Sequence, residues 1–330
     1  MKRALLFAIA CLALLGACEN NSTGQEAAPK SAFGPVDTNF SATTLQFPAN
    51  GFKAEVLFSQ GDLVKAEWLN KMAQAKGDHD FLAYLPIDGS SKHGILWTNH
   101  ESTERHELLG DGGGASIMEV FRDSLGDWQV IGFPYAIDFR DVGGTLHNCL
   151  GGVTPWGTVV TSEEAEPGNN LSLNMRDTSD INGWARWKNY GWMVEVDPNS
   201  RKALAKRYAM GRFQHEGALF MPDERTCYLM DDHAPGAFFK FVADRPRDLS
   251  EGILYAFRQS EDGNSGEWLP MSRNRDSLMY ARRYAFKDSA TIFIRMEDLV
   301  LHPDGTIYIS ETGLDSTNFA GPLALGGKPA

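Results

Sequence analysis

The sequence predicts an all-β fold, a β-propeller of about six blades, and three observations support this prediction. Gly accounts for 33 of the 330 residues and aromatic residues for 11%, which is typical of proteins with tight turns and aromatic strand faces. A strand, turn and strand unit recurs at irregular spacings, which favours a propeller over a sandwich or a barrel. Short apolar runs between Gly, Pro and Asp indicate many short strands, at residues 94–98, 128–132, 157–161, 192–196, 218–221, 227–230, 238–242 and 306–310.

Residues 1–17 have the layout of a lipoprotein signal peptide. Lys2 and Arg3 precede an apolar run, residues 4–15, that is too short to span a bilayer. The residues before Cys18 resemble a bacterial lipobox, which predicts cleavage before Cys18 and lipidation of its thiol. An ordinary cleaved signal with an incidental cysteine is the alternative. Both interpretations place the mature protein outside the cytoplasm, and the lipid anchor would hold it in the cell envelope, in the periplasm or at the cell surface.

The rest of the chain divides into a tether and one domain. Residues 18–39 are predicted to be a flexible tether, because they contain too little apolar surface to offset the entropy lost on ordering. Residues 40–330 are predicted to form the catalytic propeller domain. The chain ends soon after the last copy of the repeated unit, so we expect the C-terminal blade to be incomplete or truncated.

The repeated unit suggests where the functional residues lie. Its three clear copies begin at Cys149, Glu216 and Glu297 and end at Glu163, Asp231 and Glu311. A looser fourth copy runs from Asp80 to Glu101. Because propeller blades surround one central channel, we expect the first and last residues of the units to approach that channel from different directions.

Acidic side chains that converge in this way point to bound metal ions. Like charges about 4 Å apart repel by several kcal/mol at intermediate dielectric unless a cation lies among them. Carboxylate oxygens suit hard ions such as Ca²⁺ or Fe(III), and a thiolate at Cys149 would add a preference for a transition metal. A disulfide between Cys149 and Cys227 is the alternative for an exported protein.

The composition narrows the set of partners. Asp and Glu outnumber Lys and Arg by 43 to 31, and the net charge of −12 disfavours a nucleic-acid partner. The chain has neither a G-x-S-x-G elbow nor a Walker A loop. We therefore expect a small-molecule substrate, no protein nucleophile and a monomer.

The segment at residues 148–158, together with Glu163 and Glu164, resembles the signature of PhoX-type alkaline phosphatases. Further similar segments follow in the same order, and the likeness covers roughly residues 52–313. They are residues 99–101, 191–198, 211–217 and 295–298. The resemblance implies a large propeller that hydrolyses phosphomonoesters with two ferric ions and several calcium ions.

The resemblance also implies roles for individual residues. Cys149 and Glu216 would be iron ligands, Glu297 a further metal ligand, and Arg295 the residue that grips the phosphate. Two residues from Glu297 in an extended strand, Arg295 would lie on the same face, where its planar fork suits phosphoryl oxygens. A surface ion pair is the alternative for Arg295. Calcium ligands, or residues that support the ligands, are predicted at Asn99, Glu101, Glu163, Glu164, Asp231 and Glu311.

Three further features of the sequence are compatible with more than one interpretation. His233, next to Asp232, is a candidate acid for the leaving group, although an ordinary turn histidine is the simpler interpretation. The leader lacks the twin-arginine pattern typical of the family and indicates the general secretory route, which leaves iron loading open. Two other functions are also compatible with the sequence: a calcium-dependent propeller lactonase or esterase, and a surface lipoprotein that binds a ligand without catalysis.

Overall fold

The structure, a computed structural model, describes residues 54–181 and 183–313. The predicted signal peptide, the lipidation site at Cys18 and the tether therefore lie outside the described residues. Within the described residues, no helix combines the length and the apolar character needed to cross a membrane.

Seventeen strands form four sheets in the described part of the chain. The first sheet contains β1 (Leu63–Ala66), β2 (Lys71–Gln74), β3 (His79–Pro86), β4 (His93–His100), β5 (Gly114–Arg122) and β6 (Trp128–Ala136). The second contains β7 (Asn148–Val153), β8 (Val159–Glu163), β9 (Met193–Asp197) and β10 (Lys202–Lys206). The third contains β11 (His215–Phe220), β12 (Thr226–Asp231), β13 (Phe239–Arg245), β14 (Asp248–Gln259) and β15 (Gly266–Pro270).

The helical elements are all short. The helices α1 (Arg275–Leu278) and α2 (Ala281–Lys287) separate the third sheet from the fourth, which contains β16 (Met296–Leu301) and β17 (Ile307–Glu311). The side chain of Asn274 caps α1 by accepting from the N–H groups of Asp276 and Ser277. Six 3₁₀ turns complete the helical content of the described residues: Glu67–Leu69, Ile87–Gly89, Arg140–Val142, Asn170–Ser172, Arg186–Asn189 and Tyr208–Met210.

The sheets are antiparallel meanders in which consecutive strands pair. In the first sheet the hairpin β1–β2 joins the edge strand β6 through a parallel contact. The strands β3, β7, β11 and β16 each begin a meander at one edge of a sheet, and contacts run between β3 and β7, between β7 and β11, and between β11 and β16. These four inner strands therefore lie side by side, as in the centre of a propeller.

An apolar core fills each space between neighbouring sheets. Trp97 and Ile117 of the first sheet pack with Val159 and Val194 of the second. A second core combines residues of the second and third sheets with the helical segment, and Met230 and Met296 belong to a core between the third and fourth sheets. The predicted all-β propeller architecture is confirmed, and each predicted apolar run overlaps a strand. The described residues supply four sheets, which do not close into a ring.

Glycines allow the inner strands to approach one another. A side chain at Gly217 of β11 would meet Leu150 of β7 at 2.6 Å, and one at Gly151 of β7 would meet Phe81 of β3 at 3.2 Å. A side chain at Gly152 would collide with the backbone of Ala218. The consecutive glycines that follow Leu150 are therefore a packing requirement, because β7 has an inner strand on each side.

Candidate metal centre

Each of the four inner strands carries a β-bulge at the same point. The first residue of the strand pairs with the last residue of the next strand, and regular pairing resumes three residues further on. The opening pairs are His79 with His100, Asn148 with Glu163, His215 with Asp231, and Met296 with Glu311. A bulge interrupts the ladder and can re-aim a side chain. The residues that follow the opening pairs, and so lie in the bulges, are Asp80, Cys149, Glu216 and Glu297.

A second set of side chains comes from the residue that immediately follows the partner strand of each inner strand. These partner strands are β4, β8, β12 and β17. In all four sheets, the N–H of this residue donates to the carbonyl oxygen of the residue just before the inner strand. These hydrogen bonds join Glu101 to Asp78 (2.7 Å), Glu164 to His147 (3.0 Å), Asp232 to Gln214 (2.9 Å) and Thr312 to Arg295 (2.9 Å). The repeated backbone geometry thus places three further carboxylates beside the bulge residues.

The two sets of side chains meet in one place, here called the acidic cluster. It consists of Asp80, Glu101, His147, Cys149, Glu164, Glu216, Asp232 and Glu297. Their potential ligand atoms form overlapping groups, and the atoms of each group lie within 4.8 Å of one another. The groups are Asp80–Glu101–Cys149, Glu101–His147–Glu164, Cys149–Glu164–Glu216 and Glu216–Asp232–Glu297. The overlap makes one continuous site with room for more than one cation.

Cys149 lies in the middle of the acidic cluster. Its Sγ is 3.1 and 3.2 Å from the two carboxylate oxygens of Glu216 and 3.6 Å from Asp80 Oδ2. Burial and the neighbouring carboxylates raise the pKa of the Cys149 thiol far above its usual range, and burial raises the pKa of Glu216 to about 9. Both Cys149 and Cys227 are free thiols, so the alternative prediction of a disulfide is wrong.

His147 links two acids of the cluster. Its Nδ1 lies 2.8 Å from Glu164 Oε2 and 3.5 Å from Glu101 Oε1. Burial raises the pKa of Glu101 to about 7. Although burial also disfavours the charged form of Glu164, its hydrogen bonds to His147 and Glu101 bring the net pKa below the usual value. The hydrogen bond to Glu164 raises the pKa of His147.

Arg295 lies at the edge of the cluster. Its guanidinium donates to both carboxylate oxygens of Asp232, at 3.0 and 2.9 Å, and reaches Glu297 Oε1 at 3.2 Å. Arg295 therefore contacts the predicted ligand Glu297, although the two residues do not share an extended strand as predicted. Its backbone is left-handed, with φ of 54°, so the residue is not part of an extended strand. The side chain is 43% exposed, which leaves part of the fork accessible to a ligand.

The comparisons with known proteins agree with this architecture. The family model described as alkaline phosphatase PhoX matches residues 31–130 and 122–318, which is most of the chain. The chain belongs to the PhoX alkaline phosphatase family. Among solved structures, PhoX of Pseudomonas fluorescens in complex with vanadate, a transition state analogue, matches with a TM-score of 0.55 and 23% identity. The match covers 72% of this chain and 58% of the Pseudomonas protein, so the chain spans less than two thirds of that relative.

Two further results are weaker. A structure assigned as a 6-phosphogluconolactonase of Bacteroides fragilis matches 74% of this chain and 68% of its own, at 10% identity and a TM-score of 0.31, which is too low to support an argument. No curated protein matches the chain. The PhoX assignment therefore rests on the family model, and the Pseudomonas structure supports the fold.

Two acids, at the last positions of β8 and β12, face away from the acidic cluster. Glu163 is fully buried and accepts from Lys206 Nζ at 2.7 and 2.9 Å, and from the N–H groups of Leu146 and Trp192. Asp231 is also fully buried and accepts two hydrogen bonds from the Arg282 guanidinium, both of 2.6 Å. Both carboxylates are thus paired with cationic side chains of the protein and lie outside the groups that form the acidic cluster, and whether they support metal ligands stays a prediction.

Asn99 and Glu311 also hold backbone in place. The Asn99 amide donates to the carbonyl oxygens of Cys149 and Leu150, and its Oδ1 accepts from Trp97 Nε1 at 2.8 Å. Asn99 thereby anchors the bulge that presents the thiol. Glu311 accepts from the N–H of Ile294 at 2.7 Å.

His233, the candidate acid, is outside the grouped residues of the cluster. Its Nδ1 lies 2.9 Å from the carbonyl oxygen of Pro235, and its own carbonyl oxygen accepts from the N–H of Arg295. These contacts are those of an ordinary turn residue, the simpler of the two interpretations.

Sequence reasoning missed Asp80, His147 and Asp232 as members of the cluster. Asp80 carried a usable signal, because it opens the looser fourth copy of the repeat and occupies the same bulge position as Cys149. Asp232 follows Asp231, as Glu164 follows Glu163. His147 had no comparable signal, since its place depends on a left-handed backbone with φ of 56°.

The residues of the acidic cluster fit a group of metal ions. Its carboxylates and thiol are buried or half-buried. Burial disfavours the charged forms and raises the pKa of Asp80, Glu101, Cys149, Glu216 and Asp232. Bound cations would remove this penalty, and a set of oxygens with one sulfur and one imidazole suits both hard ions and a transition metal.

Proposed function

We propose that this protein is a metal-dependent phosphomonoester hydrolase, an alkaline phosphatase that releases inorganic phosphate outside the cytoplasm. The observation that carries the proposal is the acidic cluster, in which four strands of a PhoX-family propeller bring carboxylates and one thiol together beside Arg295. Phosphate esters are anionic, and a site lined by acids would repel them unless cations are bound there.

We propose Fe(III) and Ca²⁺ as these cations. Cys149 and Glu216, whose ligand atoms lie 3.1 Å apart, would hold iron, because the thiol adds a preference for a transition metal. Asp80, Glu101, Glu164, Asp232 and Glu297 offer the oxygens that calcium takes. When bound, such ions would supply positive charge that neutralises phosphoryl oxygens and the developing leaving group.

Arg295 would bind the phosphoryl group from the edge of the cluster. An arginine fork matches phosphoryl oxygens, and charge-assisted hydrogen bonds of this kind are about twice as strong as neutral ones. Asp232 and Glu297 hold the fork in position through contacts of 2.9 to 3.2 Å. The side chain is therefore oriented before the substrate arrives, which lowers the entropy cost of binding.

The remaining parts of the proposal concern the location and state of the protein. We propose a lipid anchor at Cys18, a place in the cell envelope and a monomeric state. The single-calcium lactonase is not favoured, because the four overlapping groups offer more ligands than one ion requires. Nor is the non-enzymatic lipoprotein favoured, because a pre-oriented arginine at the cluster edge fits an anionic substrate.

The decisive experiment combines metal analysis with an assay on one sample of the purified full-length protein. Iron and calcium would be quantified in the wild type and in Glu216→Ala, and turnover of a phosphomonoester would be measured with both metals supplied. We expect Glu216→Ala to lose bound iron and activity together, because the substitution removes a proposed iron ligand. Glu251→Ala, an exposed change on β14, is the control and should retain both. Retained turnover in metal-replete Glu216→Ala would overturn the assignment.

A further inference from the structure

A buried lysine just before the first inner strand has no role in the account above. Lys76 lies between β2 and β3 and is 3% exposed. Its Nζ donates to the carbonyl oxygens of Gly112 and Gly113, at 2.8 and 2.6 Å, and both of these acceptors are backbone groups rather than carboxylates. Burial lowers the pKa of Lys76 to about 8. The lysine therefore uses a desolvated amine to hold one stretch of backbone, residues 112–114, here called the glycine segment.

The glycine segment packs directly against the start of β7. The N–H of Gly113 donates to the carbonyl oxygen of Thr145 at 3.0 Å, and the N–H of Gly114 donates to Asn148 Oδ1 at 2.7 Å. A Cβ atom on Gly113 would lie 2.1 Å from Asn148 Oδ1 and 2.9 Å from the backbone nitrogen atoms of His147 and Asn148. The two stretches of backbone are thus so close that no side chain fits between them.

Asn148 connects the glycine segment to the acidic cluster. It is fully buried and lies in the chain between two cluster residues, His147 and Cys149. Its Nδ2 donates to Thr161 Oγ1 of β8 at 3.0 Å, so hydrogen bonds hold the amide at both of its polar atoms. His147 has a left-handed backbone with φ of 56°, which a residue other than glycine keeps only where the surrounding structure enforces it. The directions of the His147 and Cys149 side chains therefore depend on how firmly Asn148 is held.

Lys76 is also tied to the first sheet. Its carbonyl oxygen lies 3.0 Å from His79 Nε2, and His79 immediately precedes the cluster residue Asp80. The ring of His79 stacks on Phe58, with the ring centroids 5.0 Å apart. A continuous series of contacts thus begins in the first sheet, passes through Lys76 and the glycine segment, and ends beside the thiol in the second sheet.

We propose that Lys76 is a positioning residue of the metal centre. By fixing the glycine segment it holds Asn148, and Asn148 sets the directions in which His147 and Cys149 point into the cluster. Residues that orient metal ligands in this way determine how tightly the ion binds, although they do not contact it. The inference rests on the proposed metal-dependent function and identifies a residue that keeps the ligands in place before ions bind.

The test measures metal binding to the chelator-treated full-length protein, with Co²⁺ as the probe. A thiolate bound to Co²⁺ gives a charge-transfer absorption, and Cys149→Ser identifies the part of the signal that comes from Cys149. We expect Lys76→Met and Asn148→Ala each to weaken Co²⁺ binding about tenfold, the lower end of the range for residues that orient metal ligands. Because both changes break the same series of contacts, the double variant should bind Co²⁺ about as weakly as either single variant.

Two controls separate positioning from a general loss of stability. Lys240→Met replaces a half-buried lysine on β13 whose Nζ lies over the rings of Tyr255 and Trp268, and it should bind Co²⁺ like the wild type. Denaturant unfolding of each metal-free variant shows that the protein compared is folded. Should Lys76→Met not fold, the same comparison is made with Lys76→Gln, which keeps a donor on a shorter side chain.

The outcomes separate this inference from the proposed function. If the folded Lys76 variant binds Co²⁺ with the affinity and absorption of the wild type, the positioning role is wrong while the phosphatase stands. Losses that multiply in the double variant would show that Lys76 and Asn148 act independently, which also contradicts the inference. If the wild type binds Co²⁺ at Cys149 but hydrolyses no phosphomonoester, the phosphatase is wrong, and the comparison of variants still decides the role of Lys76. A wild type without the Cys149-dependent absorption would overturn the metal centre and this inference together.

Discussion

Two adjacent acids in the same strand end have opposite surroundings, and the contrast explains the site. Glu163 is fully buried with Lys206 Nζ at 2.7 Å and two backbone N–H donors, so its charge is neutralised inside the protein. Glu164 faces Glu216 and Cys149 in the acidic cluster, where the nearest cationic group is the imidazole of His147. Glu163 is thus neutralised by a lysine of the protein, whereas Glu164 and the other acids of the cluster depend on cations bound from solution.

The same contrast recurs one sheet further on. Asp231 binds Arg282 through two contacts of 2.6 Å, whereas Asp232 joins the cluster and shares Arg295 with Glu297. Because successive residues of an extended chain point to opposite sides, neighbouring acids can serve stability and ligand binding separately. The acids behind the cluster are thus neutralised by side chains of the protein, whereas the cluster contains more acidic groups than cationic ones.

The largest effect on stability should come from removing the cation that neutralises Glu163 behind the cluster. Replacing Lys206 by Met would leave Glu163 as an uncompensated buried charge, and we expect a loss of about 3–5 kcal/mol in the free energy of unfolding. The measurement is denaturant unfolding of the metal-free protein. The double variant Lys206→Met with Glu163→Gln should recover a large part of the loss, since it removes the buried charge. Equal stability of the single variant and the wild type would show that Glu163 has another counter-ion.

The opposite response is expected in the cluster, which should gain stability from added metal. At a concentration 100 times the dissociation constant, one bound ion stabilises the folded state by about 2.7 kcal/mol. Calcium and iron would be added to chelator-treated protein and the thermal midpoint followed. Glu164→Gln should reduce the gain, whereas the double variant of Lys206 and Glu163 should retain it. A gain of the same size in Glu164→Gln would place the ion elsewhere.

The smallest of the three effects is the pH dependence of the metal-free protein. Burial raises the pKa of Glu216 from the ordinary 4.5 to about 9 in the folded protein. Between pH 4.5 and pH 9 the folded state therefore binds a proton that the unfolded state has released. Stability conferred by this group is therefore full below pH 4.5 and falls as the pH rises toward 9. Between pH 6.5 and pH 8 we expect Glu216→Gln to remove about 2 kcal/mol of the stability loss seen in the wild type. Identical pH profiles for the two proteins would show that Glu216 is ionised in the metal-free fold.

Much of the architecture was predictable because short apolar runs and a repeat leave a direct trace in the sequence. The three clear copies of the unit align in the structure, and their first residues Cys149, Glu216 and Glu297 lie in equivalent bulges. The looser copy at Asp80 is a true fourth member. Its turn differs from those of the clear copies, and the residue equivalent to Glu163 is His100, one position before the end that the sequence suggested.

The all-β class, the repeat and the inner-strand residues follow from the local sequence, because strand periodicity and turn residues act over short distances. Tertiary contacts, in contrast, set which acid of each adjacent pair faces the cluster. That choice depends on the bulge and on a hydrogen bond between residues far apart in the chain, such as Glu164 N–H to the carbonyl oxygen of His147. It also depends on where Lys206 and Arg282 arrive from other elements, and pairing between distant charges has no local signature.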